Sequence, residues 1–383
     1  MMYGKKMYFD DIYDIFTKNF FFEIGKTLGY GAYGIIKEVR FKGKIYAGKL
    51  IEKRKEKINE SDLIHDLKGP NIVRIIKIFE KKINNKIYEL ILLEKATLYD
   101  LQKFKGLLSN NLFLKINYMS PIKGEFEDNL LRFFTIQIVK GIETLDKGDY
   151  IHFDIKPTNI LIFVNMVLKI TDFGLLRNIN EMERDKNKVR IPGGTLGYLS
   201  PEFYQNHRVS IENLKKQDYF SLGSTLFYLK YGESMLSYRE YDDNLMTEEY
   251  IIDLLQKAID QIKSVKNTDK DFINFICNLI QYKPEERYNL EEIYRNKWLN
   301  KNRELITEIF DTNKLDEYKL LIELTKSDYL IDKQKYFESL EINKNINTNN
   351  NKNEINDYNT NKKNINLYRK NKFIFKKNIK IIK

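Results

Sequence analysis

The strongest constraint on how this chain folds is a change of hydrophobic period part-way along it. From Phe22 to about Arg74, apolar residues alternate over short runs broken by glycine, the two-residue repeat of β-strands. From about Leu130 to Leu299 they recur every three or four positions, as in Leu130, Leu131, Phe134, Ile138 and Ile142, which marks one face of a helix. Phe22–Leu28, Ile35–Phe41 and Ile45–Ile51 read as three strands, with Lys42-Gly43-Lys44 turning the last two into a hairpin. A helix is expected over about Arg54–Leu67. A strand-rich part followed by a helix-rich part predicts an α+β fold with two lobes.

The flanks differ from this middle. Residues 1–21 read as an aromatic and charged lead-in without a clear period, and 300–340 carry further helical pattern. Residues 341–383 hold 14 Asn and ten Lys, too little apolar surface to offset the entropy of ordering, so disorder is expected there. The net charge of +11 is concentrated in this tail, which carries +8 and leaves +3 for the first 340 residues. A nucleic-acid-binding face on the folded part is therefore not indicated. The basic, partly apolar stretch Lys372–Lys377 is the only candidate for contact with a membrane surface, and a solvated tail is the expected reading. No run approaches the ~18 apolar residues of a membrane span. Cys277 is the only cysteine, so no intrachain disulfide can form, which fits a reducing, cytoplasmic setting.

Chemistry enters with Gly29-Tyr30-Gly31-Ala32-Tyr33-Gly34. This spacing also opens dinucleotide-binding helices, but here Ile36, Val39, Phe41, Gly43 and Ile45 continue it as a hairpin. The glycines then form a strand-turn-strand flap whose backbone can approach phosphate oxygens without Cβ clashes. Lys49 follows Gly34 by fifteen residues, under the flap on the third strand, with Glu60 on the next helix as its natural partner. The most specific segment is His152-Phe153-Asp154-Ile155-Lys156-Pro157-Thr158-Asn159, followed thirteen residues later by Asp172-Phe173-Gly174. Phosphoryl transfer needs a carboxylate to position the acceptor, oxygen ligands for Mg²⁺, and positive charge near the transferring phosphate. Asp154 supplies the first, Asn159 and Asp172 the second, Lys156 and Lys49 the third.

In these motifs, over about Phe22–Leu299, the chain resembles the eukaryotic protein kinase family. Gly194-Thr195, Lys156 and Ser200-Pro201-Glu202 resemble its serine/threonine branch. The resemblance implies a two-lobed kinase fold, with a small, mostly antiparallel β lobe over 22–94 and a large helical lobe over 97–299. It implies ATP and Mg²⁺ as cofactors and Ser/Thr-bearing proteins as substrates. By the same resemblance, Asp154, Lys156, Lys49 and Glu60 are catalytic, and Asn159 and Asp172 hold the metal. Gly29, Gly31, Gly34, Ile36, Ala47, Lys49, Glu94, Ala96 and Leu161 bind the nucleotide, the hinge being Glu94-Lys95-Ala96. Arg287 pairs with Glu202, and the hydroxyl of Thr195 faces Asp154 and Lys156. The rival reading is a pseudokinase acting as a nucleotide-binding scaffold, yet Lys49, Asp154, Asn159 and Asp172 are all present.

Three departures from the family pattern carry expectations. Phe153 stands where the family has an arginine that binds a phosphate on the activation loop, and Leu175–Gly194 contain no Ser, Thr or Tyr. Activity without loop phosphorylation is expected, with loop order coming from a partner or from Glu181, Glu183 or Asp185 pairing with nearby Lys and Arg. Gly48, before the strand lysine, predicts a mild loss of packing. Lys103–Glu127 reads as an insert of unassigned role.

Overall fold

The alternating segment folds into an antiparallel sheet whose two faces are dressed differently. The computed structural model describes residues 2–31, 34–53, 60–64, 67–110, 128–163, 166–182, 188–204, 208–236, 247–265 and 268–301. Strands β1 (Glu23–Gly31), β2 (Gly34–Phe41), β3 (Lys44–Lys53), β4 (Ile75–Ile83) and β5 (Lys86–Leu93) lie in the order β1-β2-β3-β5-β4. The hairpin at Lys42-Gly43 forms as expected, with both residues at positive φ, the geometry of a tight hairpin turn. Asn84 and Asn85 adopt the same pair of conformations between β4 and β5, a hairpin the sequence reading passes over.

Side chains alternate across this sheet. Ile35, Val39, Leu50, Leu90 and Leu92 point to one face, while Ile51, Ile91 and Leu93, joined by Ala47, Ile75 and Leu161, form a cluster on the other. The first face is covered by the segment expected to be an aperiodic lead-in. Met2–Phe20 is helix α1, and it buries Ile12, Tyr13 and Phe16 against the sheet. The period was present at Phe9, Ile12, Tyr13, Phe16 and Phe20, with Asp10, Asp11 and Asp14 interleaved. Phe20, Phe22, Phe41 and Phe79 extend the cover, with ring centroids 4.8–5.4 Å apart in the Phe22–Phe79, Phe20–Phe79, Phe22–Phe41 and Phe41–Phe79 pairs.

Gly48 corrects a second expectation. A Cβ there would lie 2.4 Å from Val39 Cγ2 and 3.1 Å from Leu90 Cδ1. The space is already filled by those side chains, so the glycine permits close packing instead of losing it. Of the helix expected over Arg54–Leu67, α2 covers Glu60–Ile64; residues 54–59 and 65–66 lie outside the described residues, and Leu67 is buried but not helical.

The large lobe is built on helices. Leu101–Asn110 (α3) takes up the start of the presumed insert, and 111–127 lie outside the described residues. Asp128–Lys147 (α4) buries Leu131, Phe134, Ile138, Ile142 and Leu145, the stripe its period predicts. Between the lobes run short antiparallel pairs, β6 (Tyr150–Ile151) with β9 (Arg177–Asn178), and β7 (Ile160–Ile162) with β8 (Leu168–Ile170). Another pair joins β10 (Lys188–Arg190) to β11 (Arg208–Ser210). Helices Pro201–Tyr204 (α5), Lys216–Tyr231 (α6), Glu248–Ser264 (α7) and Lys270–Leu279 (α8) complete the core. α6 is buried on all sides, the mark of a central helix. Apart from residues 300 and 301, the expected 300–340 extension and 341–383 tail lie outside the described residues. No described helix is long and apolar enough to cross a membrane.

Candidate active site

Three elements far apart in sequence meet at Lys49. Its position on β3 places it on the face opposite α1, paired with Ile36 of β2. Lys49 Nζ donates to Glu60 Oε2 at 2.5 Å and to Asp172 Oδ1 at 2.7 Å. Burial would discharge this ammonium, but Glu60 and Asp172 more than reverse that and raise its pKa above the ordinary lysine value. Burial pushes Glu60 up, against Lys49. Asp172 is held below the usual carboxylate range, because Lys49 outweighs its burial. A second contact set holds α2 in this register. Ser61 Oγ donates to Glu89 Oε2 at 2.5 Å, and Lys53 Nζ reaches Glu89 Oε1 at 2.9 Å. Glu89 is only 2% exposed. This tie, next to Glu60, was not foreseen, because nothing local distinguishes Glu89 from other strand carboxylates.

The segment His152–Asn159 is braced from beneath. His152 and Phe153 donate their backbone N–H groups to Asp218 Oδ2 and Oδ1, at 2.7 and 3.0 Å. Burial nevertheless pushes the Asp218 carboxyl up to about 7. The Asp154 amide donates to His152 Nδ1 at 3.2 Å, which leaves Nε2 to donate to the Thr171 carbonyl at 3.0 Å. Burial lowers the pKa of His152 despite the nearby Asp154 charge. The ring therefore acts as a neutral strut. Phe153 and Asp172 both sit in the left-handed region, each at φ 63°. For non-glycine residues that costs ~1–2 kcal/mol, and such strain gathers at functional sites. Asp218 is a supporting residue that lies outside the motifs singled out above. Its signal was an acidic residue inside an otherwise buried run.

The carboxylate of Asp154 is fully engaged. Thr195 Oγ1 donates to Oδ1 at 2.6 Å, while Lys156 Nζ and Asn159 Nδ2 each reach Oδ2 at 2.8 Å. Lys156 also donates to Thr195 Oγ1 at 2.5 Å. The expected approach of Thr195 to Asp154 and Lys156 is thus present. With Asn159 Nδ2 turned to Asp154, its Oδ1 has no partner among the described residues, and neither has Asp172 Oδ2. Carboxylate and amide oxygens of this kind are the donor types that hard cations take. Among the described residues no group of three or more His, Cys, Asp or Glu side chains forms a metal cage. A divalent ion would therefore need oxygens from elsewhere, such as phosphate.

On the nucleotide side, Gly29 and Gly31 of β1 oppose Ile36 and Gly34 of β2. A Cβ on Gly34 would lie 2.0 Å from the Leu50 carbonyl oxygen, so only glycine fits against β3 there. A Cβ on Gly29 would meet nothing within 4 Å, leaving room for a ligand. Ala32 and Tyr33, at the flap's turn, lie outside the described residues. Ala47 and Leu161 come from the two lobes into one apolar cluster with Leu93, consistent with an adenine slot. Glu94 needs a refinement. Its amide donates to the Arg74 carbonyl, and its Oε1 accepts from the Arg74 amide at 2.7 Å and from Lys169 Nζ at 2.6 Å. These contacts engage its amide and Oε1 within the chain. Ala96 follows it half-buried, and Lys95 Nζ ties this segment to Glu38 of β2 at 2.9 Å.

The activation segment is threaded by backbone pairing at both ends. Arg177 pairs with Ile151, and Val189 pairs with Val209, both valines being buried. Glu181 is exposed, and Glu183, Asp185, Arg184 and Lys186, among which the expected pairing would be made, lie outside the described residues. Phe153, next to the catalytic-loop candidate Asp154, is fully buried. Glu202 and Arg287 pair through a two-pronged contact, Nη1 to Oε1 at 2.9 Å and Nη2 to Oε2 at 2.6 Å.

Comparison with known proteins agrees with this geometry. The protein kinase domain family matches residues 22–299. An Aurora kinase of Saccharomyces cerevisiae is 29% identical over 294 residues, 74% of this chain and 70% of that protein. An Aurora kinase of Eremothecium gossypii is 26% identical over 295 residues, again 74% and 70%. The serine/threonine-protein kinase cds1 of Schizosaccharomyces pombe is 27% identical over 301 residues, 74% of this chain but 59% of its own length. The chain belongs to the protein kinase family, and it is a serine/threonine protein kinase.

Proposed function

We propose that this kinase transfers the terminal phosphoryl group of ATP, with Mg²⁺, to Ser and Thr hydroxyls of protein substrates without phosphorylation of its own activation segment. The observation that carries this reading is the joint assembly of Lys49–Glu60–Asp172 and Asp154–Lys156–Thr195. In this reading Asp154 orients the acceptor hydroxyl and receives its proton at a carboxylate oxygen. Lys156 steadies that carboxylate and offers positive charge to the transferring group. Lys49, fixed by Glu60, presents a point charge to phosphate oxygens, and Gly29, Gly31 and Gly34 let the flap backbone close on them. Ala47, Ile36 and Leu161 enclose the base, with the Glu94 carbonyl and Ala96 at its edge. Asn159 and Asp172 would hold Mg²⁺, which supplies charge compensation at the phosphates.

Independence from loop phosphorylation rests on three features. Phe153 cannot bind a phosphate, Leu175–Gly194 offer no hydroxyl to carry one, and the β6–β9 and β10–β11 pairs order the segment by backbone bonds. The test of the activity is a Ser/Thr peptide array with ATP and Mg²⁺, run beside Asp154→Asn. The variant should fold normally and lose ~10²–10⁴-fold in turnover. Retention of more than about a tenth of the activity would contradict the role given to Asp154.

A further inference from the structure

Helix α1 lies before the residues that match the kinase family, so nothing in the family assignment accounts for it. It is fastened to the two strands that carry the catalytic small-lobe residues. The Tyr13 ring is 1% exposed, packed with Ile35, Val39 and Leu50. Its hydroxyl sits over the β2–β3 ladder, 2.8 Å from the Ile35 carbonyl and 2.6 Å from the Gly48 carbonyl. With one proton, the hydroxyl donates to either carbonyl in turn, and burial raises its pKa beyond that of ordinary tyrosine. Gly48 directly precedes Lys49, and Ile35 directly follows Gly34 of the flap. Lys37, between these positions on β2, pairs with Asp10 of α1 at 2.6 Å and lies 5.2 Å from the centroid of the Tyr13 ring.

From this juxtaposition we infer that Tyr13 is a positioning residue for nucleotide binding: it clamps β2 to β3 from the face opposite the site and so fixes where the flap and Lys49 stand. The physical argument is one of rigidity. A strand pair whose flap must meet phosphate oxygens loses affinity if it breathes, because the flap and Lys49 must then be ordered when the ligand binds. A buried hydroxyl bridging two strands removes that freedom in advance. The side chain works through Lys49 and the flap and touches no reacting atom.

This inference rests on the ATP-dependent reading, and its test separates the two. Full-length protein, Tyr13→Phe and Ile276→Val would be titrated with a fluorescent ATP analogue and assayed for the KM of ATP and of peptide. Ile276 is a buried residue of α8 in the large lobe, and trimming it has a comparable stability cost. The expected result is about five- to tenfold weaker nucleotide binding and a matching rise in the KM for ATP in Tyr13→Phe, the effect of losing one buried hydrogen bond. The KM for peptide should hold in that variant, and Ile276→Val should match wild type in both. Hydrogen exchange should quicken at the amides of Lys37 and Leu50, which flank the hydroxyl, in Tyr13→Phe alone. Unchanged nucleotide affinity and exchange in Tyr13→Phe would overturn the inference while leaving the kinase reading intact. Equal losses in both variants would reduce Tyr13 to a general packing role and overturn it as well. A wild-type protein that binds no nucleotide would overturn both readings.

Discussion

Arg287 and Lys49 are each the buried cation of a cluster that joins distant segments, but their partners differ in number. Arg287 meets one carboxylate, that of Glu202, and spends its remaining donors on the carbonyls of Gln281 and Tyr282 at 2.7 and 2.8 Å. Phe220 lies under the guanidinium, 5.0 Å from its ring centroid. One carboxylate meets the single positive charge of the guanidinium, and four hydrogen bonds hold it in place. Lys49 lies between two carboxylates, Glu60 and Asp172. The Lys49 cluster sets two carboxylates against one ammonium and leaves Asp172 Oδ2 without a partner among the described residues. In the proposed function the matched cluster supports the fold and the unmatched one receives a cation. The difference separates residues that hold the lobe together from residues that do chemistry.

The comparison can be broken most sharply at Asp172. Asp172→Asn should lower turnover by ~10²-fold or more, since a group that offsets charge at the phosphates is removed. Its melting temperature should match wild type, because Lys49 keeps Glu60. Parallel kinetics and thermal melts decide this, and a clear fall in Tm would show that the cluster also supports the fold. Glu202→Ala should behave in the opposite way. Stranding Arg287 without its carboxylate costs ~3–5 kcal/mol, which thermal or urea unfolding would read as a Tm lower by on the order of 10 °C. A variant that melts like wild type would remove Glu202–Arg287 from the structural side. Arg287→Lys sharpens the contrast with a smaller effect. The charge stays but the planar fork is lost, and chemical denaturation should register a cost of about 2 kcal/mol.

These outcomes separate what was legible in the sequence from what was not. Lys49, Asp154, Lys156, Asn159 and Asp172 were legible because phosphoryl transfer demands those chemical types, and the spacing of their motifs admits few folds. Lys42-Gly43 announced its own turn. Helix α1 was not recognised, although Ile12, Tyr13 and Phe16 recur at helical spacing, because its apolar stripe is interleaved with aspartates and its partner surface exists only once the sheet has formed. Gly48 was misjudged for a related reason. A missing side chain looks like lost packing until Val39 and Leu90 are seen to fill the space. Asp218 and Glu89 act through backbone amides and through contacts across many residues of chain, which no local pattern records. Among the described residues the ends of the segment are held by the strand pairs Arg177–Ile151 and Val189–Val209, pairings that no local charge pattern announces.

The central claim is that the catalytic arrangement is assembled by contacts internal to the chain, without a phosphate on the activation segment. The most direct measurement is turnover of bacterially expressed protein after phosphatase treatment, with mass spectrometry establishing that residues 172–202 are unmodified. The account predicts steady phosphotransfer from that protein at ~1 s⁻¹ or more, in the usual range for kinases. Activity that arises only after another kinase modifies residues 172–202 would contradict it.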